Sequence, residues 1–388
     1  MTAAKNGVRT MCCSESDDTC LYIGSGDGTV TQFSGTDCHW KAQRSARVKG
    51  KAMSLSVCAD ETKLLVGTSL GTMYEIDLDT FTPTIISSSH VDGINAVMFA
   101  KSVSSTAKTS NEHCCTASND GTIQMWDLSS YESILRVQEA SEATCLCLVH
   151  REDKMLIFSG WRDCSIRVYD ASSGDTVFYI PNAHRKAVSS IDVTDKYFIS
   201  GGEDGIVNVW SWSRELLCQF SEHRSKPVRS VRVDVKLPYI LHSCAEDGQV
   251  LSYDLRKERR VKSQFQKRKS YNAMTQRKDS ENELLVVTKC GKIQAWDRDY
   301  DNPVMNVEDT QSSLNATSLS SSGRFLAIAG DDGLVKIYEF VHKSESPVLI
   351  AIGDGHFTRV VDVSWAPDEK QLVSVADNCS MCVWNFFG

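Results

Sequence analysis

A histidine, a serine and an aspartate recur together in this sequence, and the three side chains could form a nucleophilic triad. In such a triad the histidine accepts the serine proton and the carboxylate orients the histidine. The set occurs three times with a closing aromatic residue, as His184, Ser200, Asp204 and Trp210, as His90, Thr116, Asp120 and Trp126, and as His223, Ser243, Asp247 and Tyr253. Because an enzyme carries one catalytic triad, this recurrence favours a buried structural network of hydrogen bonds.

Other patterns with chemical meaning are scarce. The sequence contains no GxxxxGKS/T, HExxH or GxSxG motif. Cys379 and Cys382 form one CxxC pair, but residues three apart in a strand face opposite sides and no second pair lies nearby. A fourth copy of the polar set, at His356, Ser374 and Trp384, has an asparagine in place of the aspartate. We therefore predict no enzyme activity, no metal site, no cofactor and no small-molecule substrate.

The elements that position these residues are short hairpins repeated along the whole chain. The clearest copy is SGGEDGIVNVW, from Ser200 to Trp210. Asp-Gly favours a tight type I′ turn, and the flanking residues alternate between apolar and polar as in half-buried strands. Nine such turns lie 41 to 50 residues apart, at Gly28, Gly71, Gly121, Cys164, Gly205, Gly248, Gly291, Gly333 and Cys379.

Each repeat holds four short strands and ends in an aromatic residue that is often followed by aspartate, as in Trp126-Asp127 and Trp296-Asp297. This period and this dipeptide are typical of the WD40 repeat, whose blades form a β-propeller. We therefore predict an all-β chain.

Nine blades exceed the usual four to eight of a propeller. The last hairpin, which ends at Trp384, is not followed by a fourth strand, whereas PTIISSS at 83–89 stands at an outer-strand position. We expect this segment to close the ring, so that residues 83–388 form one complete seven-bladed propeller. Residues 1–80 would then be the last two blades of a second, incomplete propeller. Its other blades either precede this sequence or come from a partner.

Composition limits the environment and the partners. The net charge of −8 and the pI near 5.6 argue against nucleic acid as a general partner. The sequence has neither a run of 18 apolar residues nor a recognisable secretory signal, so we expect no membrane span and a cytoplasmic protein. The fifteen cysteines are then expected to be reduced and to pack as small hydrophobic residues.

One stretch is strongly basic. Eight positive residues accompany a single acid, Glu258: Arg256, Lys257, Arg259, Arg260, Lys262, Lys267, Arg268 and Lys269. We place the stretch on the third-to-fourth strand turn and outer strand of one blade, at the lower rim of the ring. It is either a solvated face or a docking surface for an acidic partner. The insertion 101–113 is either disordered or ordered by a partner. Trp161 and Trp212 are either core residues or exposed anchors.

Three segments together resemble a known family. They are VGTSLGTMYEIDLDTFTPTIISSSHVDGINAVMF (66–99), NAHRKAVSSIDVTDKYFISGGEDGIVNVW (182–210) and HFTRVVDVSWAPDEKQLVSVADNCSMCVW (356–384). In this order they resemble the C-terminal half of the cilia- and flagella-associated protein 52 family, WD-repeat proteins with two tandem seven-bladed propellers. The resemblance implies a microtubule inner protein, which binds tubulin and neighbouring inner proteins in the lumen of axonemal doublet microtubules. The cytoskeleton of a cilium or flagellum is the location that it implies.

A second interpretation stays open from the sequence. A WD-repeat protein can also serve as a soluble adaptor, for example a substrate receptor of a ubiquitin ligase or a subunit of a trafficking coat. Both interpretations describe a non-enzymatic scaffold whose loops contact other proteins. Retention with axonemes after extraction would distinguish the first from the second.

Overall fold

The computed structural model describes residues 7–13, 19–36, 39–58, 62–69, 72–102, 113–151, 154–267, 269–277, 283–340 and 346–387. Within these ranges every regular element is a β-strand, as the alternating sequence pattern predicts. The chain divides into two compact units, Met1–Val91 and Asp92–Gly388. That the first unit ends an earlier propeller stays a prediction.

The first unit contains two antiparallel four-stranded sheets, here named blades A and B. Blade A consists of β1 (Val8–Cys13), β2 (Cys20–Ser25), β3 (Thr29–Thr36) and β4 (His39–Arg47). Blade B consists of β5 (Ala52–Val57), β6 (Lys63–Thr68), β7 (Thr72–Asp77) and β8 (Pro83–Ser88). In both blades the strands lie side by side in chain order.

The second unit contains seven sheets in its described residues, here named blades 1 to 7. The first three blades comprise β9 (Ile94–Phe99), β10 (Lys101–Ser102), β11 (His113–Ser118), β12 (Thr122–Asp127), β13 (Glu132–Gln138), β14 (Ala143–Arg151), β15 (Lys154–Trp161), β16 (Ile166–Asp170), β17 (Thr176–Ile180), β18 (Val188–Val193), β19 (Tyr197–Gly202), β20 (Val207–Ser211) and β21 (Leu216–Phe220). Blade 1 is β9 with β11 to β13, blade 2 is β14 to β17, and blade 3 is β18 to β21. The two-residue strand β10 pairs parallel to β14 as a fifth strand of blade 2.

The remaining four blades continue the pattern. They comprise β22 (Val228–Val233), β23 (Ile240–Ala245), β24 (Gln249–Asp254), β25 (Arg259–Phe265), β26 (Tyr271–Gln276), β27 (Glu283–Thr288), β28 (Lys292–Asp297), β29 (Met305–Glu308), β30 (Leu314–Leu319), β31 (Phe325–Gly330), β32 (Leu334–Glu339), β33 (Val348–Asp354), β34 (Val360–Trp365), β35 (Gln371–Ala376) and β36 (Met381–Asn385). Blades 4, 5 and 6 have four strands each, and blade 7 has three in the described residues.

The innermost strands of the second unit contact one another in cyclic order, from β9 through β14, β18, β22, β26, β30 and β34 back to β9. This order makes the unit a β-propeller of the WD40 type. Side chains at the second position of these strands bind the next blade. Donors from five strands reach the first main-chain carbonyl of the following innermost strand: Asn95 to Ala143, Thr144 to Val188, Ser189 to Val228, Asn272 to Leu314 and Asn315 to Val360.

The hydrophobic core lies between neighbouring blades. Val188 and Ile191 of the innermost strand of blade 3, for example, pack against Phe158 and Val168 of blade 2. These four side chains are at most 2% exposed. Because the apolar faces of flat sheets stack in this way around the ring, each blade is stabilised by burial against both neighbours.

The repeated turns differ from the predicted type I′ geometry. The described turn positions have φ between 68° and 82°, including Cys164 at 70° and Cys379 at 68°, but the preceding aspartates do not have positive φ. In blade 3 the N–H of Gly205 donates to Gly202 O, and Asp204 accepts the N–H of Ile206. The type I′ prediction is therefore wrong: one left-handed residue suffices because the aspartate side chain completes the turn.

The segment predicted to close the ring pairs elsewhere. Pro83–Ser88 is the fourth strand of blade B, antiparallel to β7, and is not a strand of blade 7. Only five residues separate β7 from β8, and Asp77 accepts the N–H groups of Asp79 and Thr80 in that turn. A short closed hairpin costs little loop entropy, which favours this local pairing.

Blade A has one uncovered face. Val8 and Met11 of β1 are 57% and 66% exposed, whereas Val188 and Ile191, the residues at the same positions of blade 3, are at most 2% exposed. In the second unit these positions pack against the preceding blade. Val8 and Met11 are thus exposed apolar side chains on a strand whose counterpart in the second unit is buried.

Candidate functional site

The recurrent polar residues of blade 3 form one continuous hydrogen-bond chain. His184 lies in the loop before β18, Ser200 on β19, Asp204 in the turn and Trp210 on β20. The indole N–H of Trp210 donates to Ser200 Oγ at 2.9 Å, and Ser200 Oγ lies 2.8 Å from His184 Nε2. His184 Nδ1 lies 3.3 Å from Asp204 Oδ1. This chain of hydrogen bonds joins the loop before β18, the strands β19 and β20, and the turn between those two strands.

Blade 4 repeats the arrangement. His223 Nε2 lies 2.6 Å from Ser243 Oγ, and its Nδ1 lies 3.1 Å from Asp247 Oδ2. Tyr253, in the place of the tryptophan, is fully buried and stacks on Phe220 with ring centroids 4.3 Å apart.

Of the related set predicted for blade 1, Thr116, Asp120 and Trp126 lie in blade 1, whereas His90 belongs to the first compact unit. Trp126 Nε1 donates to Thr116 Oγ1 at 2.8 Å. Asp120 accepts the hydroxyl and the main-chain N–H of Thr122. His90 is buried, with 5% of its surface exposed.

Blade 7 completes its network with a residue that sequence reasoning missed. Ser374 Oγ binds both His356 Nε2 at 2.7 Å and the indole of Trp384 at 2.8 Å. His356 Nδ1 lies 2.9 Å from Ser380 Oγ, and Ser380 Oγ in turn lies 2.6 Å from Asn378 Oδ1. Ser380 therefore links the asparagine to the histidine. A hydroxyl two residues after the turn carboxylate, as in Asp120 and Thr122, is the sequence signal that was available.

These networks hold the strands and loops of a single blade together. Ser200 is fully buried and its oxygen is engaged by His184 and Trp210, so no face of it is open to a substrate. Burial opposes ionisation of Asp204, but hydrogen bonds from His184 and from the Arg185 N–H outweigh it and lower the pKa of Asp204. A satisfied buried network of this kind rigidifies a fold.

The basic stretch is divided between two ends of one strand. Arg256 and Lys257 lie in the turn before β25, and Arg259, Arg260 and Lys262 lie on β25 itself. Lys267 and Lys269 follow the strand. Seven residues of strand span about 23 Å, so the residues predicted to share the lower rim do not form one patch. Arg268 lies outside the described residues.

Part of that charge is neutralised. Arg256 binds Asp254 at 2.9 Å, Arg260 binds Glu222 at 2.6 Å and Lys262 binds Asp301 at 2.6 Å. Arg256 also stacks over Tyr239, and Lys269 Nζ lies 3.2 Å from the Cys290 thiol. Three exposed side chains of the stretch make no ion pair with another described residue: Lys257, Arg259 and Lys267. These three are the candidate contacts for an acidic partner.

The two ends of the innermost strands of the second unit differ in character. Near their first residues a cavity of about 470 Å³ is lined by polar residues such as Asn95 and Asn315. Several of its charges are paired, for example Arg229 with Glu246 at 2.5 Å. Near their last residues Lys101 of β10 forms an ion pair with Asp192. Burial opposes ionisation of both groups, but their mutual attraction lowers the pKa of Asp192 and raises that of Lys101.

Other residues singled out from the sequence take structural positions. Trp161 is fully buried, and Trp212 is half-buried against Phe158, so neither is the exposed anchor considered above. Most of the insertion, residues 103–112, lies outside the described residues. Cys379 lies in a turn and Cys382 on β36, where its sulfur lies 3.7 Å from Gly355 O.

The described cysteines are free thiols, and burial raises the pKa of Cys114 and Cys145 to about 12. Among the described residues, no group of three or more His, Cys, Asp or Glu side chains is arranged to hold a metal ion. In the same residues no helix is long and apolar enough to cross a membrane.

Comparison with known proteins agrees with the repeat architecture. The chain is 26% identical over 376 residues to cilia- and flagella-associated protein 52 of Chlamydomonas reinhardtii, covering 94% of this chain and 58% of that protein. The human protein of the same name is 25% identical over 372 residues, covering 94% of this chain and 57% of that protein. WD repeat-containing protein 90 of mouse is 25% identical over 199 residues, covering 49% of this chain and 10% of that protein. The chain thus spans just under three fifths of the length of the first relatives.

Two family models also match. The model described as "WD domain, G-beta repeat" matches residues 302–339 and 348–385, which hold most of blades 6 and 7. The model described as "WDR54" matches residues 31–264, well over half of the chain. This match runs from blade A through blade 4, across both compact units. The chain therefore belongs to the WDR54 family of WD-repeat proteins.

Proposed function

We propose that this chain is a non-enzymatic scaffold of the cilium or flagellum, and specifically a microtubule inner protein that binds the luminal wall of axonemal doublet microtubules. The observation that carries the proposal is its similarity, over 94% of its length, to proteins named cilia- and flagella-associated protein 52. Its partners would be tubulin and neighbouring inner proteins. The axoneme of the cytoskeleton would be its location.

A scaffold role agrees with the way polar residues are used. The recurrent networks at His184, His223 and His356 are buried, and in each of them a histidine nitrogen lies within hydrogen-bond distance of a serine oxygen. Such groups fix the relative positions of strands and loops. A rigid ring then presents its loops in a constant arrangement, which suits a protein that must fit a regular lattice.

Tubulin contact is assigned to the unpaired basic side chains on either end of β25. Lys257, Arg259 and Lys267 are exposed and unneutralised by described residues, whereas Arg260 and Lys262 already hold acids. A surface charge pair contributes about 0.5 kcal/mol. Three such pairs would change the affinity for an acidic surface by about tenfold.

Fractionation of cilia tests the location. The tagged chain should stay with axonemes after detergent and salt extraction and should be released only when the doublets are taken apart. Full release with the detergent-soluble fraction would contradict the proposal and favour a soluble adaptor. Cryo-electron microscopy of the retained axonemes would then place the chain inside or outside the doublet wall.

Co-sedimentation with microtubules tests the contact residues. The triple variant Lys257→Gln, Arg259→Gln and Lys267→Gln should bind about tenfold more weakly at low salt, and the difference should shrink as salt screens the charges. A matched double variant, Arg260→Gln and Lys262→Gln, alters two residues that are already ion-paired and should weaken binding less. Equal effects per residue in both variants would contradict the assignment of the three unpaired residues.

A further inference from the structure

Blade 7 differs from the other six blades of the second unit in the strands that it contains. Blades 1 to 6 each carry a fourth strand outside the third, whereas blade 7 consists of β34, β35 and β36 in the described residues. Hence β36 has one hydrogen-bonding edge that no described strand occupies. An unpaired edge of this kind is a template for strand addition.

The polar groups on that edge can be assigned from the pairing of β36 with β35. Phe386 N donates to Lys370 O at 2.7 Å, just beyond the ends of the two strands. Hydrogen-bonded pairs alternate along an antiparallel ladder, so every second residue of β36 directs its main-chain groups toward β35. The others direct their N–H and C=O groups to the open edge: Met381, Val383 and Asn385.

The apolar side chains beside this edge are incompletely covered. In blades 1 to 6 the residues one and three places before the closing aromatic of the third strand are at most 7% exposed: Ile123, Met125, Ile166, Val168, Val207, Val209, Val250, Ser252, Ile293, Ala295, Val335 and Ile337. The equivalent residues of blade 7, Met381 and Val383, are only half-buried. They pack in the same cluster as Phe99 and Leu128 of blade 1. A strand beside β36 would complete their burial.

A complete blade shows what the covering strand must be. In blade 2 the fourth strand, β17, places Phe178 and Ile180 toward blade 3, in one cluster with Val168. Phe178 lies 6.1 Å, between ring centroids, from Phe198 of blade 3. The occupant of the open edge is therefore an extended segment with apolar side chains at positions i and i+2, antiparallel to β36.

The volume for such a segment exists beside blade 7. A cleft of about 890 Å³ is lined by Leu128 of blade 1, Phe325 of blade 6, and Phe386 and Phe387 beyond β36. Leu128 stands two residues after the closing aromatic of blade 1, the position that Trp212 occupies in blade 3. Trp212 belongs to the same apolar cluster as Phe178 of the fourth strand of blade 2. The cleft thus corresponds to the place where the fourth strand meets the next blade.

The described strands of this chain are not free to supply the segment. Every described strand of this chain is already paired within its own sheet, including Pro83–Ser88 with β7. A second copy would have to open one of its own hairpins to donate such a strand. We propose that the open edge of blade 7 binds an extended segment of a different protein, which adds as a fourth strand through main-chain hydrogen bonds and two apolar side chains. This inference does not depend on where the protein works.

A synthetic peptide provides the test. The probe is a fluorescent peptide with the sequence of residues 175–182, DTVFYIPN, which contains the chain's own β17. It should bind the full chain saturably, and the same peptide with Phe178→Asp and Ile180→Asp should bind at least tenfold more weakly. In hydrogen exchange, the peptide should slow exchange of the Met381, Val383 and Asn385 amides at least tenfold.

A variant of β36 distinguishes main-chain pairing at the open edge from nonspecific apolar binding. Asn385→Pro removes one N–H from the open edge, a position where proline is compatible with an edge strand. Asn385→Pro should weaken peptide binding at least tenfold, whereas Asn385→Ala, which keeps the N–H, should weaken peptide binding less than twofold. Hydrogen exchange on the unaltered chain answers the question even if the proline variant does not fold.

Three results would overturn the inference. The first is equal binding of the two peptides. The second is strong protection of the Met381, Val383 and Asn385 amides in the isolated chain at every concentration, which would mean that the chain covers its own edge. The third is protection that grows with protein concentration together with dimer formation, which would make a second copy the occupant.

Discussion

Removal of the Ser200 hydroxyl from the blade 3 network should lower the free energy of unfolding by more than the loss of one oxygen atom suggests. In Ser200→Ala the two groups bound to Ser200 Oγ, the indole N–H of Trp210 and Nε2 of His184, lose their partner. Both side chains are buried, with 7% and 5% of their surfaces exposed, so water does not readily replace the hydroxyl. Each buried polar group left unpaired costs about 1–3 kcal/mol. We therefore expect the free energy of unfolding to fall by about 2–6 kcal/mol.

Urea unfolding of the full chain, followed by tryptophan fluorescence, measures this loss. Ser213→Ala is the matched control, since Ser213 is exposed in the turn between β20 and β21, and it should change stability by less than about 0.5 kcal/mol. A second comparison combines Ser200→Ala with His184→Phe. Because the two residues share one network, the double variant should lose less than the sum of the single variants.

A loss below about 1 kcal/mol for Ser200→Ala, with an unchanged dependence on urea, would refute the reasoning. It would mean that His184 and Trp210 find other partners or that the network is replaced by water. Additive losses in the double variant would equally contradict a shared network. The control variant shows what replacement of a serine by alanine costs at an exposed position outside the network.

Three further predictions concern single groups. Burial opposes ionisation of Asp234, but hydrogen bonds from His242 and main-chain N–H groups lower its pKa to about 2. The native chain therefore keeps the resulting stability above about pH 4, the unfolded value, and loses it as the pH falls toward 2. Asp234→Asn should remove this stability, which is measured as the urea midpoint against pH. Partial burial opposes ionisation of the Cys290 thiol, but hydrogen bonds with Thr288 and Lys269 lower its pKa. At pH 7.5 iodoacetamide should therefore alkylate Cys290 faster in the native chain than in the Lys269→Met variant. Equal rates in the two proteins would contradict the assigned cause. Cys164 has a φ of 70°, so Cys164→Gly should raise the free energy of unfolding by about 1 kcal/mol while Cys164→Ser should not.

Local features of the fold were predictable because their causes are local. Period-two alternation and a turn residue with positive φ are read from a few adjacent positions, as around Gly205. The recurrence of polar residues at blade period likewise placed His184, Ser200 and Trp210 in one blade, where the structure joins them. The type I′ assignment failed because the aspartate side chain, rather than a second left-handed residue, completes the turn.

Strand pairing beyond one hairpin was not predictable in the same way. Pro83–Ser88 suits either of two third strands by its pattern, and the choice of β7 over β36 depends on loop closure and on the Asp77 turn. Partners far away in sequence are hidden for the same reason. Nothing near Arg260 or Lys262 in the sequence indicates that Glu222 and Asp301 neutralise them.

The side-chain bonds between innermost strands also have a mechanical meaning. Five of the seven second positions bind the next blade, as Asn95 binds Ala143 O, and together they link neighbouring blades around the ring. The series is interrupted at two junctions. Where blade 4 meets blade 5, Arg229 binds Glu246 of its own blade, and where blade 7 meets blade 1, Val361 has no polar side-chain group. A pulling force would thus meet fewer of these bonds at the two junctions, one of which lies beside the blade with the unpaired edge. A strand added to β36 would then reinforce that junction.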